Sequence, residues 1–412
     1  MNDRDAVAWL HRRFGFGLAP SEFAGAVARG PHAEFERLLG MATGTSSADS
    51  WDDTQLPYDP KDGAARQYAI GTWLNAMIAS TDPLRDRAAW LWHGHFVCAL
   101  DKVRVARLMV DQIRLFKSAG LGDFARLLKA VTVDPAMLIY LDGGQSTAAA
   151  PNENYGREVM ELFTLGVGNY TEDDVKAAAR ALTGYRVHPA MPPLFVAKHH
   201  DDHPERYLGV SGVHDVGTVI AAIMQHAAMP TLIAGMFARE FLGTNDPDAV
   251  AGLAKVFASS SFNVSALLRA TANTGLAGTS APVVLAPVPW FVVASRVTGA
   301  QVPVKQALGE LRGAAQVPML PPNVAGWPGG TAWFATGTVV ARANLALAVA
   351  AATPVHSAAL QAAMNRDLSA LADALGLVTP SFSVASAAAL NAANNATQRL
   401  ALALITPEFV VS

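Results

Sequence analysis

Wherever this chain carries a clear hydrophobic period, the period is that of a helix, and that alone excludes most β architectures. Residues 22–39 repeat apolar side chains at helical spacing behind Pro20, with Ser21 placed to cap the first turn. Residues 64–80, 84–97, 103–119 and 122–130 follow the same rule, with Asp82-Pro83 and Asp134-Pro135 as punctuation. Thr171 stands three residues before Asp174, the spacing of a capping box, ahead of VKAAARALTGY. Further helices are expected at 219–242, 248–258, 264–272, 338–352, 357–375 and 385–405, the last three on Ala and Leu richness. Residues 189–215 break the pattern. There LFVA and RYLGV flank a polar turn and predict one short hairpin near 194–210.

The expected fold is mainly α, a single large helical body over residues 1–412 with long ordered loops. Residues 1–42 would be its N-terminal helical part and 43–63 a surface connection rich in Ser, Asp, Gly and Pro. Residues 64–352 would be the main body and 353–412 the Ala-rich C-terminal helices. No repeat of fixed period supports a solenoid. Hydrophobic residues make up 51% and charged residues 16%, which predicts an extensive interior and a rather apolar surface.

Composition also removes function classes. Lys and Arg total 31 against 34 Asp and Glu, a net charge of −3 with no basic run, so the footprint of a nucleic-acid binder is missing. Cys98 is the single cysteine, which excludes an intrachain disulfide. The apolar stretch 281–293 is broken by Pro282, Pro287 and Pro289, and the Ala-rich run after Asn344 meets Pro354, so no membrane span is predicted. MNDRDAVAWLHRRFGFG lacks the apolar core of a secretory signal; the chain as given reads as cytoplasmic, or as exported if a leader was removed. HExxH, GxSxG, Walker, GxGxxG and EF-hand patterns are absent.

Five segments carry candidate chemistry. In PNENYGREVMELFTLGVGNYT, residues 151–171, a helix places Asn154, Arg157, Glu158 and Glu161 on one polar stripe. The plain reading is a solvated stripe with an Arg157–Glu161 pair; the functional one is two carboxylates, one turn apart, sharing a cation. WLWHGHFV offers His93 and His95, which splay by about 200° on a regular helix. KHHDDHPERYLG clusters His199, His200, Asp201, Asp202 and His203 at the expected hairpin turn. Together these form an N/O ligand set suited to Zn, Fe or Mn. PPNVAGWPGGTAWF is a stiff loop placing Trp327 and Trp333, either pinned to the core or lining a ligand groove. In HRRFGFG, Arg12 and Arg13 either hold an anion or buttress a turn, and the buttress is favoured.

These segments, with DPAMLIYLD and the closing RLALALITPEFVVS, occur in the order of a bacterial family, the domain of unknown function 1800, which the chain resembles over nearly its whole length. The resemblance implies a mostly helical domain, frequently exported, often encoded beside a second family, DUF1501, that resembles alkaline-phosphatase-like hydrolases. His93, His95, Asn152, Glu153, Asn154, Arg157, Glu158, Glu161, His200 and Asp201 lie inside the family's signature blocks.

Two expectations follow. In a metal-dependent enzyme, a hydrolase or an oxidoreductase, Glu158 and Glu161 would hold a divalent metal with His93, His95, His200 or Asp201. Arg157 would then orient the substrate and Asn154 hydrogen-bond beside it. In a non-catalytic binding or assembly protein, working with a partner such as a DUF1501-type protein, the same residues would form an internal network. A third, weaker reading is a carbohydrate or peptide binder with an open groove at Trp327 and Trp333.

Overall fold

The computed structural model describes residues 1–45, 49–188 and 191–412; residues 46–48 of the expected surface connection, and 189–190 at the start of the expected β region, lie outside them. Helices dominate, as the periodicity predicts, and among the described residues the strands form two antiparallel hairpins. One continuous apolar core runs from Trp9 to Val410.

Several expected helices divide where the chain supplies a break. Residues 22–39 become Pro20–Arg29 and Pro31–Thr43, split at Gly30, whose φ of 77° is a left-handed value that glycine adopts without strain. Pro20 therefore occupies the first helical turn, and Ser21 is not the cap. Likewise 357–375 divides into Ala358–Asn365 and Leu368–Ala374, and 385–405 into Val384–Ala392 and Ala396–Leu404. The capping box forms as predicted, with Thr171 and Asp174 bonding each other's backbone N–H.

The β region is where pairing differs from expectation. LFVA does not pair with RYLGV. Tyr185–His188 pairs with Met191–Phe195, and Glu205–Tyr207 with Val210–Val213. The second hairpin turns on Leu208 and Gly209, both at positive φ, and the Leu208 N–H donates to Asp174 Oδ1 at 2.6 Å. The KHHDDH run is thus the link between two hairpins rather than the tip of one.

Among the described residues no single helix is long and apolar enough to cross a membrane; the apolar helices Val216–Gln225 and Ala228–Leu242 meet at an 80° bend. Arg12 and Arg13 do act as buttresses. Arg12 donates to the Phe409 carbonyl, and Arg13 to the carbonyls of Phe241, Ala281 and Ser412, tying the first helix, Asp3–Phe14, to residues 409–412.

Two helices position the candidate residues. Pro83–His95 ends inside the core, and the following FVCAL is buried. Glu153–Glu161 lies against Glu172–Ala181, and Gly156 permits the approach: a β-carbon there would stand 2.9 Å from both Val175 O and Ala179 N.

Candidate functional site

His93 and His95 face different surroundings, as their helical spacing predicts. His93 is wholly buried in a box of Trp73, Trp90 and Trp327, with ring centroids 5.1, 6.3 and 5.5 Å away. Neither of its ring nitrogens has a hydrogen-bond partner among the described residues, and burial lowers its pKa to about 3, so the ring is neutral. His95 is half-buried, and its Nε2 lies 2.9 Å from the Phe163 carbonyl. Gly326, at φ 81°, packs so close to Gly94 that a β-carbon would stand 2.8 Å from the Gly94 carbonyl.

That contact brings two quoted segments together. Trp327 stacks on Trp90 at 5.3 Å and 13°, and Trp333 is buried at 3% exposure. Trp327 is half-buried against Trp90 and His93, whereas Trp333 is buried.

On the helix Glu153–Glu161 the expected Arg157–Glu161 pair does not form. Arg157 makes a bidentate bond to Glu172 at 2.9 and 2.7 Å, because the capped start of the next helix places a carboxylate opposite its fork. Glu161 instead accepts from the Tyr170 hydroxyl. The Glu158 carboxylate makes no hydrogen bond or ion pair among the described residues. Burial, and then the charge of Glu161, hold its pKa above the usual carboxylate range against the pull of Arg157.

His200 and Asp201 are committed elsewhere. His200 Nδ1 donates to the Thr183 carbonyl at 3.0 Å, and the Asp201 N–H to Thr183 Oγ1 at 2.8 Å. Asp201 accepts from Arg180 at 2.7 Å and from His203 at 2.9 Å. Burial alone would raise its pKa, but these bonds outweigh it and bring it down to about 2. Arg180 continues to Glu205 at 2.7 Å, so the link between the hairpins is riveted to the helix beneath.

Among the described residues no three His, Cys, Asp or Glu side chains gather closely enough to hold a metal ion, so His93, His95, Glu158, Glu161, His200 and Asp201 do not come together as one set. What does form is a cleft of about 360 Å³ lined by Leu141, Asp142, Gln145, Ser146, Ala150, Asn152 and Asn154. Its floor is fixed. Asn152 caps the Glu153 helix through the Tyr155 N–H at 3.0 Å, donates to the Leu141 carbonyl at 2.8 Å, and gives its own N–H to Ser146 Oγ at 3.0 Å. Its rim is free: the amides of Gln145 and Asn154 make no side-chain hydrogen bond among the described residues. Glu158 follows Asn154 by one helical turn.

A family model, described as protein of unknown function (DUF1800), matches residues 9–411. The chain belongs to that family. No curated protein and no solved structure matches this DUF1800 chain. Within the DUF1800 sequence, Asn154 and Glu158 were visible as a polar stripe. Asp142, Gln145 and Ser146 carry no spacing signal, since they reach the cleft only through the turn after Tyr140.

Proposed function

We propose that the chain is a non-catalytic binding or assembly protein whose polar segments hold one another in place and present a cleft to a partner. The observation that carries this is where the polar side chains are spent. His200 is engaged by Thr183, Asp201 by Arg180, Arg157 by Glu172 and Glu161 by Tyr170. The uncommitted groups, Gln145, Asn154 and Glu158, lie at or beside one cleft. Amides and a carboxylate over a rigid floor suit the N–H, O–H and C=O groups of a peptide segment. The family resemblance points to a DUF1501-type protein as that partner.

The test is light scattering on the chain mixed with the DUF1501-type protein of the same genome. A complex is expected, and Gln145→Ala with Asn154→Ala should weaken it about tenfold, the loss of rim hydrogen bonds near a contact centre. Absence of any complex rejects the partner.

Glu158 supports a second reading, the metal-dependent hydrolase or oxidoreductase, because an unpaired carboxylate beside a second one can share a Zn, Fe or Mn ion. About one equivalent of metal that survives dialysis, and that Glu158→Ala with Glu161→Ala removes from a folded chain, would establish this reading and displace the first.

A further inference from the structure

A second cleft, of about 580 Å³, opens between the helix Glu172–Ala181 and the hairpin 205–213. Two ties hold its walls in place. The Leu208 N–H donates to Asp174 Oδ1 at 2.6 Å, and Arg180 Nη1 lies 2.7 Å from Glu205 Oε1. Asp174 and Arg180 stand about 9 Å apart along the helix axis, so the distance between the ties is fixed. Ala177 lies between them on the helix, and Gly209 adds no side chain from the hairpin; a β-carbon there would meet nothing within 4 Å.

The lining carries both signs of charge, and they are spent unequally. Asp174 accepts from the Thr171 N–H and hydroxyl and from the Leu208 N–H. Glu205 is held by Arg180. Asp173 is 94% exposed and stands 3.6 Å from Lys176, long for a charge-assisted bond. Among the cations, Arg206 is exposed, and its guanidinium makes no hydrogen bond or ion pair among the described residues. Arg180 gives Nε to Asp201 and Nη1 to Glu205; its Nη2 has no partner among the described residues and is not sealed from solvent. The uncommitted charge is therefore mainly positive, and it stands on both walls. Lys176 and Arg180 are one helical turn apart, roughly 5–6 Å between β-carbons. Arg206 faces the same space from the hairpin.

Guanidinium groups on two walls suit carboxylates or phosphates. The size of the cleft decides between them. A single phosphate engages one fork and leaves most of the space to water. A short carbon chain with a carboxylate at each end meets both walls and lays its methylenes over Ala177 and Gly209.

We propose that this cleft binds a small aliphatic dicarboxylate, with one carboxylate on Arg206 and the other on Arg180 Nη2 and Lys176. It is separate from the cleft at Gln145 and Asn154 and does not rest on the partner-binding reading.

The test is isothermal titration calorimetry on the full chain at low ionic strength, where exposed charges are least screened. Glutarate, the monocarboxylate pentanoate and inorganic phosphate are titrated in turn. Glutarate should bind saturably and about tenfold more tightly than either of the others, the worth of one charge-assisted contact. Arg206→Gln breaks no side-chain bond among the described residues, so it should leave the melting temperature unchanged while weakening glutarate about tenfold. Lys176→Gln should weaken it less, because Arg180 shares that carboxylate. Arg126→Gln, at an exposed cation on the helix Phe124–Thr132, should change nothing. The proposal is overturned by no binding of glutarate, by pentanoate or phosphate binding as tightly, or by an Arg206→Gln chain that binds as the parent does. An equal loss in Arg126→Gln also overturns it, since the effect would then be general charge attraction.

Discussion

Asp134 shows how one residue ties stability to pH. Its Oδ1 accepts from the Met137 N–H at 3.1 Å and from Gln112 Nε2 at 2.8 Å, capping the helix Pro135–Tyr140. Burial raises its pKa to about 7 although these bonds pull the other way. The folded state therefore keeps a proton that the unfolded chain releases near pH 4. Stability from this group is complete below that point, declines by up to about 1.4 kcal/mol per pH unit, and is lost once pH passes about 7. Urea unfolding between pH 5 and 8 should show this slope, and Asp134→Asn should flatten it; an unchanged slope in the variant would place the titration elsewhere. At this scale the sequence was half legible. Helical geometry separates His93 from His95 without a structure. It names Glu161 as a neighbour of Arg157 but is silent on Glu172, which wins because it meets the guanidinium with both oxygens.

At the scale of elements, one close approach between helices runs through Gly156. Gly156→Ala should cost about 1–3 kcal/mol, since backbone atoms of Glu172–Ala181 would have to retreat. Gly40→Ala, on a helix with nothing within 4 Å of the added carbon, should be neutral or stabilising by up to about 1 kcal/mol. Thermal melts of the two variants check the contrast, and equal melting points would refute it. Element type was readable where the apolar period was clear, because that period survives without tertiary information; the helices Pro287–Thr298 and Val304–Gly313 and the strand Tyr185–His188 were not read from it. Partnership was not: both LFVA and RYLGV are strands, yet Leu194 pairs with Arg186 and Tyr207 with Val210. Alternation identifies a strand without identifying what lies beside it. The cleft suffers the same limit, as Gln145 and Asn154 meet only once the turn after Tyr140 is folded.

At the scale of the whole molecule, the first helix and the last residues stabilise each other. Deleting residues 409–412 would strip Arg12 and Arg13 of carbonyl partners and remove the fully buried Phe409. Such a truncation should lower unfolding free energy by at least about 3 kcal/mol in denaturant titration; a loss below about 1 kcal/mol would show the clamp to be incidental. The clamp also has a consequence in time. A ribosome releases Arg12 long before Phe409 exists, and Arg13 long before Ser412, so the helix Asp3–Phe14 lacks those acceptors until residues 409–412 have been made. Its cationic face waits, hydrated, for residues 409–412, and this clamp closes only after translation has passed them.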